Sequence, residues 1–559
     1  MLRHPRTPWI LLAALTLAHF IFLASFVRTA YSAPDADGYY TQARMLVLEG
    51  RPDFQPESPV QHLGVHWLEK EDGRFISRYP PGLSIVVGGV WKLFGRDASL
   101  YVNAVLASLT LPLVFLLCRP YSGNRLALAG VWVQAADPAA NRHALNADSH
   151  TLTTFCMVGG LFLLDRWGRR GGRWTALAAG FLLAYIPLVR FAEAAAAIGV
   201  AAFLLLIWRR PERRAEIPYV LAGALPPILV LAAHNHYHFG AFWRTAYGLT
   251  GESSLSLEYL IRNWSVYSQS LLTSGVGYFL APGVVGLLLM LRERAARPFA
   301  AAASLIAGSI TLLYCCYYFA SFGSPVTIRF LLPTLPLYLP PALHFFRTCL
   351  PAPALGPALA VLLLLQTGMG QPGGLMELRR EALEAERSAA AIEAIERIVP
   401  SGSVVLGDDR LHDQLNFTGQ WKLADAELLL PPPRRGPGDG PPGGPSADED
   451  RPSPQQRGKA AELRARYSGL NPADKAAAVL EDAALWAGEA DVYWVVPESS
   501  IRRLPSLPDG YGLAEVGRIE FRGPPQSAPP GRADPFGLTG EPLTVYRLQG
   551  EGDATEPQP

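Results

Sequence analysis

Two aspartates, Asp35 and Asp37, stand in the stretch SAPDADGYYTQARMLVLEG (32–50), directly after a long apolar run. A carboxylate at the mouth of a membrane span is placed to take a proton from a hydroxyl or to ligate a cation. The structural alternative is a solvated loop in which Asp37 caps a helix starting at GYYTQAR. Other ionisable residues recur at the ends of apolar runs. Asp148 (NADSH) opens one run. Arg190 lies in the short turn of AYIPLVRFAEAAAAIG, where it either pairs with Glu193 or meets an anionic lipid head group. Arg329 (SPVTIRFLLPTLP) precedes helix-kinking Pro333 and Pro336. A charge near the bilayer centre costs about 2.5–3.5 kcal/mol, so groups at this level are candidates for function. The segment RYPPG (78–82) predicts a rigid extended turn, because proline fixes φ and disfavours helix in the residue before it.

The histidines offer two readings. His62 and His66 are one helical turn apart, and His234, His236 and His238 cluster at the end of a run. With a nearby carboxylate they make a divalent metal possible; as interfacial residues they hydrogen-bond to lipid head groups.

These residues need elements to hold them. The chain has 559 residues, a net charge of +1, 50% hydrophobic residues and 17% charged ones, against about 25% charged in soluble proteins. The near-neutral balance argues against a nucleic-acid partner, because no basic stripe is present to replace phosphate counterions. No cysteine spacing suggests zinc, and the polar segments contain no cysteine for disulfides. The hydropathy predicts a mainly α, polytopic membrane protein with about eleven transmembrane helices. They fall near 9–27, 100–117, 126–140, 149–164, 173–188, 192–208, 217–233, 275–291, 299–319, 326–346 and 352–369. The first is too long for a signal-peptide core and is expected to be retained. Segment 83–94 is short. If it lies in the interface without crossing, every Arg-rich loop falls on one side, as the positive-inside rule requires. The N-terminus is then cytoplasmic, and the loop 28–97 and everything beyond residue 371 are extracytoplasmic.

The predicted organisation is a transmembrane catalytic domain over 1–370 and a small extracytoplasmic α/β C-terminal domain over 371–559. Strands are expected at SVVLG, DVYWVV, GRIEF and LTVYRL, with a helix at DKAAAVLEDAALWAG. The insert 431–458, rich in Pro, Gly and charge, is expected to be disordered. The strand end VVLGDDR lacks a glycine-rich phosphate loop and reads as structural. A transporter or flippase of a lipid-linked saccharide would show mid-membrane charges and paired halves, and neither is visible here. A polysaccharide ligase or polymerase would carry a late outer loop rich in Arg and His, of which 234–274 has some character.

Taken in order, these motifs resemble the GT-C-type integral-membrane glycosyltransferases, in particular the protein mannosyltransferase and aminoarabinose transferase group. They are D-x-x-x-Y-x-x-x-A-R from Asp35 through Tyr39 to Ala43 and Arg44, the YPPG turn, Asp148, Arg190, N-x-x-x-F-G at Asn235, and RFLLP at Arg329. The resemblance covers roughly residues 1–370. It implies a polyprenyl-phosphate sugar donor, an acceptor on protein, lipid or glycan, a multi-pass place in a bacterial inner (plasma) membrane, and an inverting transfer. It makes Asp35 the catalytic carboxylate, with Asp37 as second choice. Tyr39, Arg78, Tyr79, Asp148, Arg190, Asn235 and Arg329 match substrate-binding positions. Where some members carry an acid before the proline pair, this chain has Arg78 and Tyr79, a departure that argues against a family-style metal site.

Overall fold

Apolar runs with no backbone partner but themselves must form helices, since an unpaired peptide group in hydrocarbon costs several kcal/mol. In the computed structural model, five helices among the described residues are long and apolar enough to cross a membrane: Thr7–Ala24, Arg96–Ser122, Phe191–Trp208, Pro211–Phe239 and Arg297–Cys315. Shorter apolar helices cover Gly82–Phe94, Arg173–Val189, Gly277–Arg292 and Ala352–Gly368. The structure describes residues 6–31, 34–64, 66–70, 72–250, 255–273, 276–317, 325–429, 465–497, 507, 511–521 and 542–550. The insert 431–458 lies outside them.

Two compact units result, one formed by Met1–Val27 with Tyr79–Ala382, the other by Arg28–Arg78 with Leu383–Pro559. The polar loop after the first helix therefore groups with the C-terminal segment, where the hydropathy pattern alone divides the chain near residue 370.

In the helical unit, glycines let neighbouring helices touch. A Cβ on Gly180 would lie 1.9 Å from the Val220 carbonyl oxygen, and one on Gly223 would lie 1.9 Å from that of Leu177. Small residues at a crossing are the usual means by which membrane helices approach closely. Two expected spans take other forms. The run 126–140 is broken after Ala135, and Asp137 caps a new short helix, Pro138–His143, by accepting from the Ala139 and Ala140 amides. The run 326–346 is a 3-10 stretch, Pro325–Tyr338, followed by the α-helix Leu339–Cys349. Pro333 and Pro336 lack the N–H groups that a regular α-helix would use. The last apolar run does not stop at the expected end of its span; it continues as one helix, Ala352–Ile398, because the segment after it is also rich in good helix formers.

The second unit has strands β1 (Trp67–Glu69), β2 (Phe75–Ser77), β3 (Val404–Gly407), β4 (Lys422–Asp425), β5 (Val492–Pro497), β6 (Tyr511–Ile519) and β7 (Leu543–Gly550). β1 and β2 form a hairpin. The remaining five form one sheet in the order β4-β3-β5-β7-β6, parallel across β4, β3 and β5 and antiparallel beyond. Helix Pro472–Ala487 buries Ala476, Val479, Leu480 and Ala483 against Val404, Leu406, Trp494 and Val496. The first loop joins this sheet directly. Gln61 bridges Ala424, His62 N–H donates to the Leu423 carbonyl at 2.8 Å, and Asp425 N–H donates to that of Val60 at 2.8 Å. Val60 thereby enters the sheet's core.

Replacing Gly180 or Gly223 by leucine should push helices Arg173–Val189 and Ile217–Phe239 apart at a cost of about 1–3 kcal/mol. Thermal unfolding of the purified protein in detergent would register this as a lowered midpoint, and an unchanged midpoint would contradict the close crossing.

Candidate functional site

The first loop starts with a helix because its polar residues are helix-compatible and its acids lie at the positive N-terminal end. That helix runs Pro34–Ala43 and continues through a wider π turn, Arg44–Leu48. It begins four residues earlier than expected, so Asp37 lies within it and is not its cap. Asp35 and Asp37 are two positions apart and face different surroundings. Asp35 is half-buried, and its charge acts on the His66 imidazole, as does that of Arg78. Burial pushes the His66 imidazole below its ordinary range, while the charges of Asp35 and Asp413 pull in the opposite direction. Asp37 is 0% exposed. Its carboxylate accepts from the Thr41 hydroxyl at 2.7 Å and from the Asn416 side-chain amide at 3.4 Å. Tyr39 is buried on the same helix, and Arg78 N–H donates to the His66 carbonyl at 2.9 Å.

The helical unit holds the other polar group. Asp148 has extended backbone and caps helix Ser149–Arg170. One carboxylate oxygen accepts from His150 N–H at 3.1 Å, and the other is hydrogen-bonded to His143 Nδ1. The Asn103 amide, donating to the Asp148 carbonyl at 2.9 Å, pins this turn. Arg190 follows the last residue of helix Arg173–Val189, also with extended backbone, before the 3-10 turn Phe191–Ala196. Its Nε donates to Glu193 Oε1 at 2.6 Å, its Nη1 to Ser149 Oγ at 3.0 Å and His150 Nε2 at 3.3 Å, and its Nη2 to the Tyr314 hydroxyl at 2.8 Å. Tyr314 donates in turn to Glu193 at 2.9 Å. Of the two alternatives for Arg190, pairing with Glu193 is present, and it leaves the guanidinium's remaining edge directed among Ser149, His150 and Phe330.

Arg329 belongs to the same group. Its guanidinium lies 5.1 Å from the Phe330 ring centre, and that of Arg190 lies 5.5 Å from it. Both arginines act electrostatically on His150. Asp148, Arg190 and Arg329 are thus gathered around His150. Asn235 serves elsewhere, its amide donating to the Phe242 carbonyl at 3.1 Å in the turn after helix Ile217–Phe239. Tyr79, the first residue of the YPPG turn, is buried. That turn needs its glycine: a Cβ on Gly82 would lie 2.6 Å from the Leu188 carbonyl oxygen, and Tyr185 donates to the Gly82 carbonyl at 2.8 Å. The YPPG motif therefore buttresses the end of the helix that delivers Arg190.

Among the described residues, His143, Asp148 and His150 place ligand atoms within 4.8 Å of one another and could hold a divalent ion. Two guanidinium groups beside His150 favour an anion over a cation there. His234 and His238 pack ring to ring at 4.5 Å, and His236 is exposed. Sequence reasoning did not single out His143, His150, Tyr314 or Asp413. His143 and His150 flank the NADSH motif and were legible by proximity, whereas Tyr314 and Asp413 carry no local signal.

No known protein-family profile matches the chain, and no curated protein matches it by sequence. Solved structures do match. ArnT from Cupriavidus metallidurans bound to undecaprenyl phosphate superposes with a TM-score of 0.59 at 13% identity, covering 99% of this chain and 100% of that one. The same protein in the apo state gives 0.57 at 15% identity, with the same coverage. The oligosaccharyltransferase of Archaeoglobus fulgidus in the apo form gives 0.52 at 13% identity, covering 89% of this chain and 70% of that one. The chain has the GT-C fold.

Glu193 is 0% exposed, so Arg190→Ala should strand a buried carboxylate and cost about 3–5 kcal/mol of stability. Removing both charges, with Glu193→Ala added, should restore most of it. Thermal unfolding of the single and double variants checks this, and equal losses in the two would refute charge pairing as the cause.

Proposed function

We propose that this chain is an integral-membrane glycosyltransferase of a bacterial inner membrane. It moves one monosaccharide from a polyprenyl-phosphate donor to an acceptor hydroxyl at the outer face. The observation that carries this reading is the Arg190–Arg329 pair flanking Phe330 and His150, an anion-favouring group within a GT-C fold. ArnT, which shares that fold over its whole length, is crystallised with undecaprenyl phosphate, and the same class of lipid phosphate suits two guanidinium groups in apolar surroundings.

In this reading Asp35 is the general base. It is the more accessible of the two acids, and it stands in the register that the motif selects. The acceptor hydroxyl gives its proton to the Asp35 carboxylate as its oxygen bonds to the anomeric carbon. The bond from that carbon to the phosphate oxygen breaks, and its electron pair leaves with the lipid phosphate. Attack opposite the leaving group inverts the anomeric configuration. Arg329 and Arg190 stabilise the charge growing on the departing phosphate, an effect strengthened where water is scarce. Glu193 and Tyr314 fix the Arg190 guanidinium in place, so little reorganisation is needed as charge develops. Tyr39, Arg78, Tyr79 and Asp148 are the further substrate-binding residues of this reading, with no metal assigned. The acceptor belongs to the class of protein, lipid or glycan hydroxyls.

Transfer from a panel of polyprenyl-phosphate hexoses, assayed in membranes, tests the assignment. Asp35→Asn should lower the rate by about a hundredfold or more, the usual scale of a lost general base. Arg329→Ala should raise the KM for the lipid donor more than it lowers kcat. Undiminished transfer by Asp35→Asn removes the base from the mechanism.

A further inference from the structure

Eight arginines that the proposed reaction leaves unused stand in two short turns. Arg166, Arg169, Arg170 and Arg173 lie where helix Ser149–Arg170 gives way to helix Arg173–Val189. Arg209, Arg210, Arg213 and Arg214 lie where helix Ala197–Trp208 gives way to helix Ile217–Phe239. Three acids, Asp165, Glu212 and Glu216, accompany the eight arginines and leave a net charge of +5. The fold joins the turns, although 44 residues separate Gly172 from Glu216. Glu216 accepts from Trp167 Nε1 at 2.7 Å and from Gly172 N–H at 3.1 Å, and Arg210 Nη1 donates to the Gly168 carbonyl at 3.1 Å. Gly171 has a φ of +74°, and a Cβ there would lie 2.3 Å from Arg213 Nη1, so only glycine lets that side chain lie across the turn.

These contacts direct charge inward for some groups and leave others facing out. Asp165 is buried and accepts from the Tyr121 hydroxyl at 2.9 Å and from Arg169 Nε at 3.1 Å. Arg166, Arg170 and Arg209 are exposed and have no ion-pair partner among the described residues. Arg173 and Arg214 are also exposed, and their guanidinium carbons lie 5.5 and 4.6 Å from the ring centres of Trp174 and Trp208. Both indoles are exposed, at 72% and 50%. On the helices that carry the second turn, Leu205, Leu221 and Leu225 turn apolar side chains outward.

We propose that the joined turns bind the head group of an anionic phospholipid. Guanidinium groups hold phosphate oxygens through paired, charge-assisted hydrogen bonds. Trp174 and Trp208 stand at head-group depth, where amphipathic rings settle in a membrane interface, and the acyl chains run along the outward leucines. That apolar flank selects a lipid over a soluble anion or an acidic peptide, neither of which has chains to cover it. Glu216 spends its charge on the Trp167 and Gly172 donors, so it fixes the cluster without neutralising the outer face. The site shares no residue with the sugar-transfer site and stands independently of that reading.

The test titrates the full-length protein in a neutral detergent with phosphatidylglycerol or phosphatidylcholine while Tm is followed. Phosphatidylglycerol should raise Tm by about 2–4 °C more than phosphatidylcholine does. The variant Arg166→Gln/Arg170→Gln/Arg209→Gln should raise the phosphatidylglycerol concentration that gives half the shift by about tenfold or more. Its Tm without lipid should match the wild type, because the three side chains give up no ion-pair partner; Arg166→Gln/Arg170→Gln serves if it does not. The control Arg292→Gln/Arg294→Gln/Arg297→Gln removes the same charge from another exposed turn and should leave that concentration unchanged. Equal shifts from the two lipids, a shift reproduced by inorganic phosphate alone, or the same loss in both triple variants overturns the site.

Discussion

A charge withdrawn from water must be paired or hydrogen-bonded, and the polar architecture of this molecule follows from that constraint. Arg190 and Glu193 are the strongest instance. Glu193 is completely buried, so its carboxylate requires the guanidinium, and Tyr314 closes the triangle by bonding to both. The pair brings its surroundings with it. Ser149 and His150 accept from the same guanidinium, which ties the start of helix Ser149–Arg170 to the end of helix Arg173–Val189. Asp148, one residue earlier, is held by His143 and by its own capping bond. Each ionisable group is oriented by the need of the next.

The same constraint explains why the site residues sit at the ends of helices. A helix end leaves backbone amides and carbonyls unpaired. Asp148 satisfies such an amide at the start of helix Ser149–Arg170. Arg190 takes extended backbone where its helix stops, which frees its side chain to reach across to Ser149 and Tyr314. The YPPG turn meets this helix end through Gly82, whose lack of a side chain permits contact with the Leu188 carbonyl. A motif that reads in sequence as a stiff turn thus acts by supporting a cation.

The second unit meets the constraint by different means. Its first-loop strand segment completes the edge of β4, so that backbone groups from 60–62 and 423–425 satisfy each other. Asp53 is buried and paired with Arg74 and Lys70. Asp37 accepts from the Thr41 hydroxyl and the Asn416 amide, and burial together with the Asp413 charge pushes it up to about 7. A carboxylate so placed responds to pH in the physiological range, where an exposed one would not.

Periodicity and hydropathy in the sequence were sufficient to determine that the chain is a bundle of apolar helices followed by a small α/β segment. Strands at SVVLG, DVYWVV and LTVYRL, the helix Pro472–Ala487 and the Arg190–Glu193 pair were all legible, because each depends on residues close together in the chain. Tertiary structure alone decided the remainder. It joined the first loop to a sheet more than 300 residues later, brought the Asp413 charge near Asp37 and Tyr314 to Arg190, and broke two expected spans at Asp137 and in Pro325–Tyr338. Hydrophobic pattern records which face of an element avoids water; it carries no record of which distant charge, hydroxyl or strand edge will satisfy the polar groups left over.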